Sequence, residues 1–277
     1  MTADDHRVTQ FRALHEAGCF VMPNPWDAGS ARVLEHLGAR ALATTSAGFA
    51  WTRGQADTRA PLGAVLEHLR AVVEAVSVPV NADFEGGYAV EPEEVGANVA
   101  RAVRTGVAGL SIEDSSGRAD EPLLDLDLAV ARIAAARAAI DESGTGVVLT
   151  GRSEGFVVGR PDIEETVKRL RAYADAGADC LYAPRIDRLE HVRAVVEAVK
   201  PLPVNLLINA PFITVAEAAG LGVRRVSVGG TLARAAWGGW LDTAREILQE
   251  GTFSGFSALP DVNGLMAGLE AAPGGDG

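Results

Sequence analysis

Eight times along this 277-residue chain a short apolar run ends in polar residues and gives way to a segment of helical period. The runs are Cys19 to Met22, Ala41 to Thr44, Val78 to Asn81, Gly109 to Ile112, Val147 to Thr150, Cys180 to Ala183, Val204 to Ile208 and Arg225 to Val228. Most are apolar on both faces, as strands covered on two sides must be. Between them, stripes such as Leu62-Val65-Leu66-Leu69-Val72-Val73-Val76 and Ile163-Val167-Leu170-Tyr173-Ala174 recur at three- and four-residue spacing. Strands buried on both faces and alternating with amphipathic helices make a parallel sheet wrapped in helices. Eight such units in one chain of this length favour an α/β fold closed as a (β/α)8 TIM-type barrel over an open doubly wound sheet. No G-x-G-x-x-G follows the first run, which weakens the dinucleotide-binding alternative.

Punctuation agrees with these units. Gly38 and Gly106 fall where C-terminal helix caps belong, and Pro92 and Pro161 fall at first-turn positions. No linker divides the chain, so one barrel domain is expected over residues 1–270, with an extra C-terminal helix from about Gly255 to Leu269. Residues 271–277 read as a disordered tail.

Charge and composition remove several function classes. A formal net charge of -12 gives neither nucleic acid nor an anionic membrane any electrostatic attraction, so neither is expected as a partner. No stretch reaches the roughly 20 apolar residues of a membrane span, and the start MTADDHRVTQ lacks the apolar core of a signal peptide. The two cysteines, Cys19 and Cys180, each sit in an apolar run. They read as small buried thiols in a reducing compartment, and a cytoplasmic location is expected.

In a barrel of this kind chemistry sits at the C-terminal ends of the strands. Those ends carry Asn24-Pro25-Trp26-Asp27, Thr44-Thr45-Ser46-Ala47-Gly48, Asp83 with Glu85, Glu113-Asp114-Ser115-Ser116, Arg152-Ser153-Glu154, Tyr182 with Arg185, Asn205 with Asn209, and Ser227-Gly229-Gly230. Asp83 with Glu85 reads either as an exposed turn or as a cation site. Glu113 at the end of the next strand favours the cation, because neighbouring strands would bring the acids within reach of one ion. Hard carboxylate and water oxygens suit Mg2+, with Mn2+ admissible in its place. His6, His15, His36, His68 and His191 fall in the leader or on helices, away from the strand ends, so no zinc cluster is expected. Arg152 reads as a fork for a substrate carboxylate or as a bridge to a barrel acid. Ser46-Ala47-Gly48 reads as an ordinary turn or as a cradle of N–H groups for a carboxylate or a developing oxyanion.

With these residues in order, the chain resembles the isocitrate lyase/phosphoenolpyruvate mutase superfamily, from Pro23-Asn24-Pro25-Trp26-Asp27 to Val226-Ser227-Val228-Gly229-Gly230. The Ser46 turn, Asp57, Asn81-Ala82-Asp83, Ile112-Glu113-Asp114 and Arg152 carry the resemblance. It implies magnesium held through water by Asp83 and Glu113, with Glu85 beside them, and a small 2-oxo or 2-hydroxy acid chelated by the metal. It also implies that the serine-glycine turn and Arg152 hold the substrate carboxylate. From the strand ends and the resemblance together, the expected substrate-binding set is Trp26, Asp27, Ser46, Ala47, Gly48, Asp57, Arg152, Arg185, Asn205 and Asn209. The resemblance further implies a homo-oligomer, typically a tetramer that exchanges its last helix.

Departures narrow the expected reaction. The stretch Ser115-Ser116-Gly117-Arg118-Ala119-Asp120-Glu121-Pro122-Leu123-Leu124 lacks the lysine-cysteine-glycine-histidine motif of the isocitrate and methylisocitrate lyases. It also lacks the lysine- and asparagine-containing loop of the mutases. Asn81 stands where many members have aspartate, and Ser111 where the lyases have histidine. What remains is magnesium-stabilised enolate chemistry: a carbon–carbon lyase or decarboxylase acting on a small 2-oxo- or 2-hydroxy-dicarboxylate. Catalytic candidates are Arg152, Glu121 and Tyr182, with Arg118 or bound water as other proton donors. Phosphonopyruvate or phosphoenolpyruvate mutase or hydrolase chemistry is the alternative, and a barrel that binds a carboxylate without turnover is the alternative of another class.

Overall fold

The computed structural model of the chain describes residues 3–271. Eight parallel strands, β1 (Phe20–Met22), β2 (Leu42–Ala43), β3 (Val80–Asp83), β4 (Gly109–Glu113), β5 (Val148–Arg152), β6 (Cys180–Tyr182), β7 (Val204–Leu207) and β8 (Arg225–Ser227), alternate with helices. The ladders run in the order β1-β8-β7-β6-β5-β4-β3-β2. Between β2 and β1 a single backbone bond, Ala43 N–H to Pro23 C=O at 3.1 Å, draws the ends together into a nearly closed TIM-type barrel.

All eight predicted runs are strands. β3 and β5 each run two residues beyond the expected ends, through Asp83 and Arg152. The ladder is made by backbone groups, so Asp83 pairs with Ser111 and Arg152 with Glu113 and Tyr182 whatever their side chains. The predicted helical stripes face the sheet: Leu69 and Val72, Val95 and Val99, Ile133 and Ile140, Leu170 and Tyr173 are all buried.

The helix Ala3–Glu16 closes the barrel at the N-terminal ends of the strands. Phe11 is fully buried there, with its ring 6.2 Å from that of Phe20. Gly109 is required at this point, since an added Cβ would lie 2.6 Å from both the Phe11 ring and the Asn81 amide oxygen. Arg12 fastens the helix to Gly146 C=O and, with Arg137, to Asp179.

Two local expectations are corrected. Pro161 lies just outside its helix, because Asp162 takes the cap position and accepts from the N–H groups of Glu164 and Glu165 at 2.9 and 3.0 Å. The expected helix from Gly255 to Leu269 is broken into a 3-10 turn, Ser254–Ala258, and a helix, Val262–Ala271. Leu259 before Pro260 is extended, the conformation that a following proline imposes. The expected tail lies outside the described residues except for Ala271, which ends the last helix. Both cysteines are free thiols, Cys180 buried and Cys19 half-buried just ahead of β1.

Candidate active site

Arg152, the last residue of β5, is the hub of the C-terminal face. Its Nη1 lies 3.1 Å from Asp83 Oδ1 and 3.1 Å from Glu113 Oε2, and its Nε lies 2.6 Å from Glu154 Oε1. Its guanidinium also stands over the Tyr182 ring, 5.3 Å from the centroid. Glu113 and Glu154 are both buried. One cation is thus shared among three acids, two of them buried. Burial pushes the Glu113 carboxyl well above its ordinary range, only partly offset by Arg152, and Glu154 moves up for the same reasons. Burial works against the charge on Arg152 itself, but Glu113, Glu154 and Asp83 outweigh it.

The turn after β2 faces this hub. Thr45 caps the helix Ser46–Thr52, so the Ser46 N–H points out of the first turn and donates to Asp83 Oδ2 at 2.9 Å. Thr44 Oγ1 accepts from the Asp83 N–H at 3.0 Å. The Ser46 hydroxyl reaches Asp57, whose pKa is raised by burial and by neighbouring Asp83. Between these groups lies a cavity of about 190 Å³, enough for a small acid and little more. Of the predicted residues, Ser46, Ala47, Asp57, Asp83, Arg152, Tyr182, Arg185, Asn205 and Asn209 line it. The Tyr182 hydroxyl is pushed up to about 12 by burial and is protonated at neutral pH.

Other predicted residues stand elsewhere. Asp27 is an exposed helix cap in a reciprocal bond set with Ser30, at 2.7 Å from the Ser30 N–H. Trp26 and Gly48 pack against each other behind the turn, too close for any side chain at Gly48. Glu85 adopts a left-handed φ of 47°, which turns its carboxylate away from the cavity to the Tyr88 hydroxyl at 2.8 Å. Burial raises its pKa to about 7. Glu113 meets the site through Arg152 rather than as part of the cavity wall. Glu121 is exposed on the loop after β4, beside Arg118, and lines a separate groove of about 890 Å³. That loop is a short hairpin held by Ser116 N–H to Pro122 C=O at 3.0 Å and Leu124 N–H to Asp114 C=O at 2.9 Å. Asp114, next to Glu113, points to the opposite face of the sheet, as strand alternation requires. There its carboxylate accepts from the Tyr173 hydroxyl at 2.5 Å, Arg169 Nη1 at 3.2 Å and Glu154 N–H at 2.7 Å.

Sequence reasoning missed three residues. Glu154 was visible two residues beyond the strand-five arginine. Arg234 lines the cavity from the first turn of the helix Thr231–Arg245, stacked 4.8 Å from the Trp51 ring. Its signal was a cation one turn after Gly229-Gly230. Arg225 lines the cavity from inside the barrel, and an arginine opening an apolar run was its signal.

The donor set suits a hard divalent cation in one manner only. Asp83 and Glu113 offer carboxylate oxygens from adjacent strands, and buried Asn81, on the same face as Asp83, has an amide oxygen with no hydrogen-bond partner. Among the described residues, however, no three His, Cys, Asp or Glu side chains form a ready cluster. Magnesium tolerates this, because it keeps several waters and takes one or two carboxylates plus substrate oxygens.

Comparison with known proteins gives a consistent picture. Residues 11–248 match the phosphoenolpyruvate phosphomutase family. An oxaloacetate decarboxylase of Paraburkholderia xenovorans (strain LB400) is 29% identical over 221 residues, 77% of this chain and 71% of that one. The structure of a Burkholderia cenocepacia J2315 protein, provisionally classed as a lyase/mutase, superposes with a TM-score of 0.93 at 44% identity, covering 96% of this chain and 98% of that one. Oxaloacetate acetylhydrolase with its product oxalate superposes at 0.84 with 28% identity, covering 96% of each chain.

Proposed function

Since the chain belongs to the phosphoenolpyruvate phosphomutase family, within the isocitrate lyase/phosphoenolpyruvate mutase superfamily, we propose that it is a magnesium-dependent carbon–carbon lyase or decarboxylase for a small 2-oxo- or 2-hydroxy-dicarboxylate. The observation that carries this reading is the small cavity in which the Ser46 turn, Asp83 and Arg152 meet. Two compared proteins that act on oxaloacetate make that acid the first substrate to try.

Breaking a bond next to a 2-oxo group leaves an electron pair that delocalises onto oxygen as an enolate, and donors fixed in place lower the barrier to forming it. Asp83 and Glu113 would hold magnesium largely through water, and the cation supplies Lewis-acid polarisation of the substrate oxygens. The Ser46 N–H holds Asp83 at this space, and the first turn of its helix, with Ser46 and Ala47 in the cavity wall, adds a positive dipole end beside an anionic oxygen there. Arg152 keeps Asp83 and Glu113 oriented and presents positive charge to the substrate carboxylate. Arg185 and Arg234 make the mouth attractive to an anion despite the acidic surface of the chain. Tyr182, protonated and in the cavity wall, is the best-placed proton donor, since Glu121 stands outside it.

The rest of the chain fits a cytoplasmic homo-oligomer. No helix among the described residues is long and apolar enough to cross a membrane. Trp237, Trp240, Phe253, Phe256 and Leu259 are exposed along the C-terminal segment, an apolar surface of the kind that subunits cover. Sedimentation of the purified protein tests this, with a tetramer expected and a monomer at micromolar concentration contradicting it. Phosphonate chemistry is the second reading, drawn from the family match and the two arginines at the mouth. Phosphorus NMR of a phosphonopyruvate incubation separates it from the first, which expects no change in the phosphorus signal.

A further inference from the structure

Arg225 opens β8 with its side chain inside the barrel, and it is 1% exposed. Its Nε donates to Asn205 Oδ1 at 2.9 Å, and its Nη2 donates to Thr150 Oγ1 at 2.9 Å. Its Nη1 stands 3.3 Å from His15 Nε2. His15 Nδ1 is 2.7 Å from Phe11 C=O, so the ring is the neutral tautomer that donates there and accepts from Arg225. All three partners are uncharged, and no carboxylate pairs with Arg225 among the described residues. A guanidinium carries five N–H donors. Three are engaged, which leaves two for whatever enters the cavity that Arg225 lines.

A buried cation without a counter-ion is costly. The helix Ala3–Glu16 closes the barrel beneath it, and the cavity lies on its other side. Polar groups continue around this floor: Asn81, Ser111 and Asn205 also line it, and the Asn81 amide oxygen has no partner. The spacing is informative as well. Thr150, which holds Arg225, lies two residues before Arg152 on β5 and so faces the same side one step deeper in the barrel.

We infer that Arg225 is the anchor for the inner carboxylate of a four-carbon dicarboxylate that stands along the barrel axis, its other carboxylate at the Ser46 turn and Arg152. The inference rests on the dicarboxylate reading above and adds to it the orientation of the substrate and the residue that sets its length. Pyruvate and oxalate, which are shorter, reach only the upper level.

The test is a calorimetric titration of the full-length protein with magnesium against L-malate, pyruvate and oxalate. In Arg225→Met, malate binding should weaken by about tenfold or more, the value of a charge-assisted hydrogen-bond pair. Pyruvate and oxalate affinities should stay within about twofold. Arg225→Lys, which keeps the charge but loses the fork, should fall between. Equal loss for all three acids, or no loss for malate, overturns the inference while leaving the dicarboxylate reading in place. If the unaltered protein binds none of the three, both fall. Should the Met variant not fold, a crystal structure of the unaltered protein with malate decides: a carboxylate on Arg225 supports the inference, and one held wholly at the upper level overturns it.

Discussion

Arg152, half-buried on β5, and Arg225, buried on β8, line one cavity, and their surroundings are opposite. Arg152 faces three carboxylates within 3.1 Å, so local charge is in excess on the acid side. Arg225 faces an amide, a hydroxyl and a neutral imidazole, so charge is in excess on the basic side. The upper level therefore suits a cation, while the floor suits an anion. A magnesium-bound diacid would meet both needs at once, which neither level indicates alone.

The contrast is broken most severely at Arg152. Arg152→Met would leave Asp83, Glu113 and Glu154 packed together with no cation. We expect turnover to vanish and stability to fall by about 3–5 kcal/mol, the usual cost of orphaning buried charges, as measured by urea unfolding. Arg225→Met should cost far less stability, within about 1–2 kcal/mol, because it removes an uncompensated charge along with its bonds. Equal losses in the two variants would mean that the two environments do not differ as described.

Next in size is Asp83→Asn. It keeps the volume and the reach to Ser46 but removes the charge facing Arg152 and any bound cation. Turnover should drop by about two to three orders of magnitude, and the rise in melting temperature on adding magnesium should disappear. An undiminished magnesium shift would place the ion elsewhere.

The acid-rich level also predicts a pH dependence. Burial raises the Glu85 pKa from 4.5 to about 7 in the folded chain. The folded state then holds a proton that the unfolded state loses. Stability is full below about pH 4.5 and declines as pH rises toward 7, by at most about 3 kcal/mol from this group. Glu113 and Glu154 act in the same direction. Thermal melts in metal-free buffer should fall between pH 5 and 7.5, and Glu85→Gln should flatten the fall. A melting temperature that rises over this range contradicts the assignment.

The smallest effects are expected away from the cavity. Asp27→Ala should cost about 1 kcal/mol through its lost helix cap and leave kcat within about twofold. Glu121→Gln, in the exposed hairpin, should change neither stability nor turnover. A large loss of turnover in Glu121→Gln would mean that the hairpin closes over the cavity.

The legibility of the sequence follows from what periodicity encodes. Strands buried on both faces and helices with one apolar stripe announce themselves, so all eight units were readable. Rim residues were readable because a polar group just after an apolar run is conspicuous, as with Asp83 and Arg152. Side-chain direction was not readable at Glu85, where a left-handed backbone turns the acid away. Nor was it readable at Asp27, whose carboxylate is spent on its own helix. Arg234 sits on a helix and Arg225 begins a strand, two places where an arginine ordinarily means a solvated face or a barrel edge. Only three-dimensional closure brings them to the cavity.

The most direct measurement is of product release: purified protein with and without magnesium, incubated with oxaloacetate and related 2-oxo- and 2-hydroxy-dicarboxylates. Pyruvate and carbon dioxide would be quantified, and exchange of the pyruvate methyl protons in deuterium oxide followed by NMR. The account predicts magnesium-dependent release of product, or at least exchange, lost in Asp83→Asn. Neither release nor exchange from any of these acids, in protein shown to be folded and to bind magnesium, would contradict it.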